Sequence, residues 1–455
     1  MQVTASKKEI FTMGNYSLLT LSIMVGFMYL NTFATEVLMI PAATLATALL
    51  IAKTTDFIFS VIHGVIIEKV KLGNKGKNQG WLYYGRWVVA ICAMLEVTNT
   101  TMLPMAVRVV VLSASYIVLN CMMNLLQTAY YGVVAVVAGP NPANRNAFTI
   151  EMVQQNTIVT LICSFIPTLV TVLPFGSWNY FVVGTLFVLP MPWALGRISA
   201  LADGKDLPVG AGPAGAPRVG FKDMIDALLK NPQLLILFLA NTIMQIGMFM
   251  YQANYTYYFI YVVGDFTKLT VATLCSSVVG LIAARIMPKI GVKLGKKMAF
   301  VCGISIFGLG MVGVYFLGPI SWIFYILCMS IGMCGTYLYQ AFAITMYLDC
   351  GEWYLNKTGK DTRTIAMGLG APPMKIGMAV GGSIGLYLLG ATGYVAGFVP
   401  DAAWVSSFMM ICWIVPAAFY FAGAALMLFG YKINDAEVAR MAQENAERAA
   451  AAAQQ

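Results

Sequence analysis

Long apolar stretches alternate with short polar ones along nearly the whole chain. Twelve of them run over residues 15–36, 41–67, 82–103, 106–138, 148–173, 178–197, 231–262, 268–287, 298–318, 320–347, 366–391 and 403–431. A bilayer-crossing helix needs about 20 apolar residues, and each stretch has roughly that length or more. Only helices and closed barrels satisfy their backbone in lipid, and segments this long are not barrel strands. The pattern predicts an all-α membrane protein with twelve transmembrane helices.

Composition agrees. Of 455 residues, 59% are hydrophobic and 10% charged, against about 25% charged in soluble domains. That leaves too little polar surface for a soluble enzyme, a nucleic-acid binder or a secreted disulfide scaffold. Lys and Arg outnumber Asp and Glu, 28 to 19, and the excess collects in alternate loops, including residues 69–77 and 289–297. Cytoplasmic loops of membrane proteins gather such cations, so both termini are expected in the cytoplasm. Met1 to Phe11 carries no cleavable leader pattern. The nine Cys form no CxxC pair, and His63 is the single histidine, which argues against redox and metal centres.

The break at 198–222, with its LPVGAGPAGAPRVG run, reads as a flexible linker. EKVKLGNKGK after the second span and PKIGVKLGKK after the eighth echo each other, as two six-span repeats would. The expected organisation is a bundle at 1–197, the linker at 198–222, a second bundle at 223–431 and a cytoplasmic tail at 432–455. The Ala/Glu-rich tail reads equally as a solvated helix or a frayed end.

Ionisable groups inside spans carry a penalty of about 2.5–3.5 kcal/mol on insertion scales, so each asks for a reason. At 100° per residue, Lys53, Asp56, Ser60 and His63 share an arc of about 80°. That polar face reads either as a cation or proton site built on Asp56, or as a Lys53–Asp56 pair locking helices together. Asn120, Asn124, Gln127 and Tyr131 form a second stripe within about 60°, and Asn241, Gln245 and Gln252 a third within about 40°. Tyr337 and Gln340 add a ring and an amide one turn apart, and Lys375 sits mid-span. Amides and rings suit a polyhydroxylated ligand in a watery cavity; the alternative is hydrogen bonding and packing between helices.

The stretch MYLDCGEWYLNKTGKDTRTIAMGLGAPPMKIG at 346–377 carries a D-x-G-E-W … K-x-G pattern through Asp349, Gly351, Glu352, Trp353, Gly359 and Lys375. It resembles the signature of the glycoside-pentoside-hexuronide:cation symporters, a branch of the major facilitator superfamily. AKTTD at 52–56, NPQLLILFLAN at 231–241, YYFIYVVGD at 257–265 and GYVAG at 393–397 resemble further family segments in the right order. The resemblance implies the major facilitator fold, two six-helix bundles with a site at mid-membrane. Set beside the family's melibiose permeases, it makes Asp56 a cation-binding carboxylate, with Ser60 and Asn124 as neutral helpers. It places Thr20, Lys53, Gln127, Tyr131, Tyr337, Gln340 and Lys375 at substrate. Four positions depart from the family: Ser60 and Gln127 replace carboxylates, Thr20 an acidic sugar ligand, and Lys53 an arginine.

The resulting expectation is a secondary active transporter, not an enzyme, in the plasma or bacterial inner membrane. It carries a sugar or glycoside by alternating access, coupled to H⁺ or Na⁺. A lone buried carboxylate favours the proton, with uncoupled facilitation as a third alternative. A non-sugar cargo such as a lysolipid is the runner-up, and a non-transporting sensor ranks behind it. No cofactor beyond the ion, no nucleic acid and a monomeric unit are expected.

Overall fold

The computed structural model describes residues 2–206 and 221–453. The centre of the expected linker, 207–220, and the last two tail residues lie outside them. Among the described residues every regular element is helical. In the first part of the chain these are α1 (Lys7–Gly14), α2 (Ser17–Thr32), α3 (Ala42–Lys69), α4 (Lys77–Glu96) and α5 (Met105–Ala138), followed by α6 (Pro142–Cys163), α7 (Ile166–Val172), α8 (Asn179–Val188) and α9 (Pro190–Leu201). The second part has α10 (Phe221–Lys230), α11 (Pro232–Tyr257), α12 (Lys268–Leu294), α13 (Lys296–Leu317) and α14 (Trp322–Thr358). It closes with α15 (Arg363–Gly368), α16 (Pro372–Ala391), α17 (Ala402–Met409), α18 (Val415–Gly430) and α19 (Asp435–Ala453).

Eleven helical stretches among the described residues have the length and apolar character to cross a membrane. The expected third span is the exception. Its helix, α4, runs from Lys77 to Glu96 instead of 82–103 and carries Lys77, Arg86 and Glu96. Many helices turn large apolar side chains outward, among them Ile51, Ile58, Val110, Leu186, Leu281, Phe316 and Ile331. A soluble protein buries such residues; lipid accepts them.

The chain divides into two compact units. One holds residues 1–216 with 266–271 and 394–398; the other holds 217–265, 272–393 and 399–455. In the first, Tyr16, Leu82, Leu126, Tyr130, Phe148, Met191 and Leu195 form a continuous core. In the second, small residues set the spacing: a Cβ on Gly303 of α13 would sit 2.6 Å from the Gly335 carbonyl oxygen of α14. Such close backbone approach is the usual means of helix association in lipid.

Each unit fastens a helix start with an aspartate from much later in the chain. Asp206, just past α9, accepts from the Asn78 and Gln79 amides at 2.7 and 2.8 Å, and from Asn78 Nδ2 at 3.1 Å. Asp435, just past α18, accepts from the Lys296 amide at 3.1 Å. The first N–H groups of a helix lack internal partners and favour a negative charge. The two echoing basic loops therefore lead into equivalent capped helices.

Two expectations change at the second unit's end. α14 continues to Thr358, well past 347, so Asp349–Trp353 ride on helix. The tail is a helix from Asp435 and is neither frayed nor simply solvated. Asn445 Nδ2 donates to Glu352 Oε2 at 2.8 Å, and Arg448 donates to the Asn356 carbonyl at 3.0 Å.

Candidate functional site

Asp56 is largely but not fully buried on α3, facing α5, where Asn124 Nδ2 donates to its Oδ1 at 2.5 Å. The same amide group also reaches the Asn120 carbonyl at 3.0 Å. Asn124 is thereby held to its own helix while it points at the carboxylate. The helical spacing that put Asn120 and Asn124 on one stripe accounts for this.

Of the residues expected around Asp56, the structure brings Asn124 to it and turns Ser60 away. The Ser60 hydroxyl donates to the Phe57 carbonyl at 2.7 Å. This is the usual backward bond of a helical serine, which needs no partner on another helix. The Lys53–Asp56 pair is absent: among the described residues the Lys53 ammonium forms no ion pair or hydrogen bond. One turn of helix separates the two side chains, and Asn124 occupies the carboxylate instead.

Thr20, Gln127 and Tyr131 belong to the same unit. Gln127 and Tyr131 are exposed on it and Thr20 is half-buried. Tyr131 is 49% exposed and extends a stair of rings. Its centroid is 5.5 Å from that of Tyr130, which stacks on Tyr16 at 3.9 Å. Tyr130 is anchored by its hydroxyl to the Met13 carbonyl at 3.1 Å. The anchoring pair, Tyr16 and Tyr130, escaped the sequence reading because a buried tyrosine and a platform tyrosine look alike in sequence.

In the second unit Tyr337 is half-buried against α12, where a Cβ on Gly280 would stand 2.9 Å from its hydroxyl; Gln340 is exposed and Lys375 half-buried. Asn241, of the third amide stripe, donates to the Tyr347 hydroxyl at 3.2 Å and so acts as a tie between α11 and α14.

The D-x-G-E-W signature is a clasp. Asp349 pairs with Lys296 at the start of α13, 2.6 Å away. Glu352 meets Arg363 at 3.0 Å and Asn445 at 2.8 Å. The Gly351 backbone lies so close that a Cβ there would be 2.8 Å from Arg363 Cα. Trp353 carries the Lys357 ammonium over its ring, 4.3 Å from the centroid. These residues join α13, α14, the turn into α15 and the tail helix. Beside the clasp, a cavity of about 350 Å³ is lined by Leu355, Asp361, Arg363, Asn445 and Arg448. In the turn, the Arg363 guanidinium holds the Asp361 carboxyl below its ordinary range. No group of three or more His, Cys, Asp or Glu among the described residues is placed to hold a metal.

One carboxyl was missed in sequence. Glu96 ends α4 and is 2% exposed, with no hydrogen bond or ion pair among the described residues. It falls inside the expected span 82–103, where nothing at helical spacing singled it out.

A family model described as MFS/sugar transport protein matches residues 11–435. The chain belongs to this family. Among its relatives, a putative sulfoquinovose importer of Escherichia coli (strain K12) is 24% identical over 93% of this chain and 90% of its own. An isoprimeverose transporter of Lactiplantibacillus pentosus is 24% identical over 92% and 88%. These names fit the glycoside-pentoside-hexuronide branch indicated by the signature. A bacterial homologue of the iron transporter ferroportin shares the fold, with a TM-score of 0.67 at 12% identity, over 94% of this chain and all of that one. This member of the MFS/sugar transport family is a multi-pass membrane transporter and not an enzyme.

Proposed function

We propose that the protein is a secondary active transporter of a sugar or glycoside, driven by symport of H⁺ or Na⁺. The observation that carries the reading is Asp56, a carboxylate on a membrane helix to which the neutral amide of Asn124 donates at 2.5 Å. A carboxylate so placed changes its interactions when it takes up a cation, and coupling requires such a difference between states. Asp56 is the ion-binding group and Asn124 its orienting partner; Ser60, one turn on, joins them only if its hydroxyl leaves the Phe57 carbonyl. Thr20, Lys53, Gln127, Tyr131, Tyr337, Gln340 and Lys375 form the substrate set. Rings such as Tyr131 stack on sugar faces while amides and the lysines bond hydroxyls or an acid group. The relatives that carry sulfoquinovose and isoprimeverose support a sugar-like cargo.

In this reading α4 is a twelfth span, both termini are cytoplasmic, and the bundles at 1–197 and 223–431 work by alternating access as one functional monomer. The coupling ion is the sole inorganic partner, with no cofactor. Neutral Thr20 and Gln127 favour a second reading, an amphipathic non-sugar cargo. The test is uptake into proteoliposomes under an imposed pH or sodium gradient, with sulfoquinovose, isoprimeverose, a uronate, a galactoside and a lysolipid. Concentrative uptake of a sugar under one gradient supports the proposal and names the ion. Uptake of the lysolipid alone moves the assignment to the second reading.

A further inference from the structure

Glu96 closes α4 against α2. The groove it occupies exists because residue 26 is glycine: a Cβ there would lie 2.5 Å from Glu96 Oε2 and 2.9 Å from Oε1. The carboxyl is 2% exposed, and no donor or cation among the described residues reaches it. The ionisable groups around it are few. Cys92 lies one turn back on α4, and Tyr116 on α5 lies within electrostatic reach of Glu96 and also of Asp56 on α3. Tyr29 follows Gly26 by a turn on α2. On α8 and α9, Tyr180 feels the charge of Glu36, and Arg197 lies over the Trp193 ring at 4.9 Å. Among the described residues no cation pairs with Glu96.

An ionised carboxylate buried without a partner is costly, and such groups neutralise instead. A hard metal cation would need several oxygen ligands, whereas a proton needs a single carboxylate oxygen. We infer that Glu96 is a proton-binding site of the transport cycle, occupied in this conformation, with both it and Asp56 within electrostatic reach of Tyr116. The step is one proton added to one carboxylate oxygen from water, and returned to water when the groove opens. The inference rests on the transporter reading but assigns a group that the reading does not use, and it selects the proton as an ion the protein handles.

The experiment is infrared difference spectroscopy of the reconstituted protein in phosphatidylcholine bilayers, stepped between acid and alkaline buffer. The probe is the proton itself. A protonated carboxylic acid shows a carbonyl stretch that a carboxylate lacks. The wild type should show a band that persists into neutral buffer, absent in Glu96→Gln, retained in Glu96→Asp and still present in Asp56→Asn. A band of wild-type size in Glu96→Gln would overturn the inference, and so would loss of the persistent band in Asp56→Asn alone. Gly26→Ala, which intrudes on the groove, should shift the band while leaving its amplitude. No sugar is needed, so failure of sugar uptake and failure of this assignment read out separately.

Discussion

Asn124 donates to Asp56 across α5 and α3 at 2.5 Å while its backbone neighbour Asn120 holds the same amide at 3.0 Å. The carboxylate direction is thus set by a side chain that is itself held in place. Asp56→Asn should abolish concentrative uptake and spare exchange of substrate across the membrane. Counterflow and gradient-driven uptake measured on one preparation check this; a mutant that accumulates substrate like wild type refutes the role. Asn124→Leu removes a hydrogen bond to a charged group worth about 1.5–3 kcal/mol. The ion concentration for half-maximal uptake should rise about tenfold or more.

Asp206 satisfies two backbone amides and a side-chain amide at the start of α4, whereas Asp435 satisfies one amide at the start of α13. Asp206→Ala should therefore lose about 1–2 kcal/mol, and Asp435→Ala less. Thermal unfolding of the purified variants ranks them; equal losses would mean the caps are not what these residues provide.

The Lys296–Asp349 pair is nearly closed to solvent on the acid side, at 8% exposure against 26% for the lysine. Asp349→Ala strands a half-buried ammonium and should destabilise by about 1–3 kcal/mol, below the range for a fully buried pair. The double change Asp349→Leu with Lys296→Met should recover most of that loss, because two apolar groups leave no charge unpaired. A double-mutant cycle in unfolding midpoints measures it.

Asp361 carries a pH signature. The hydrogen bond from Arg363 depresses its carboxyl in the folded state. Stability from this contact is present above the unfolded carboxyl's ordinary value and is lost as pH falls through the lower folded one. Asp361 is 53% exposed, so screening limits the effect to under about 1 kcal/mol. Asp361→Asn should cost up to that much at neutral pH and almost nothing below the folded carboxyl's range, which flattens the acid side of the stability profile.

The helices were legible because lipid imposes a length and an apolar face on every span. α4 was misplaced by several residues because its first turn, Lys77, Asn78 and Gln79, is polar and carries no apolar signal; Arg86, whose guanidinium reaches the Pro192 carbonyl at 3.0 Å, lies within both the expected and the observed stretch. Asp56 and Asn124 could be found from helical spacing, since each stands out chemically on an otherwise apolar face. Whether Asp56 met Lys53 or Asn124 could not, because partner choice depends on helix rotation, which spacing leaves open. The signature block was visible as a motif, but its work as a clasp needed Asn445 and Lys296, which lie 93 and 53 residues from their partners. Glu96 was hidden because burial at a helix end is decided by what packs there, in this case the absent side chain of Gly26.

Asp206 and Asp435 each tie the end of a helical bundle back to that bundle's own third helix. Each half therefore carries its fastening within its own stretch of polypeptide, on the near side of residues 207–220 in one case and at the start of α19 in the other. A chain severed within 207–220 would leave each fragment with its own closing aspartate.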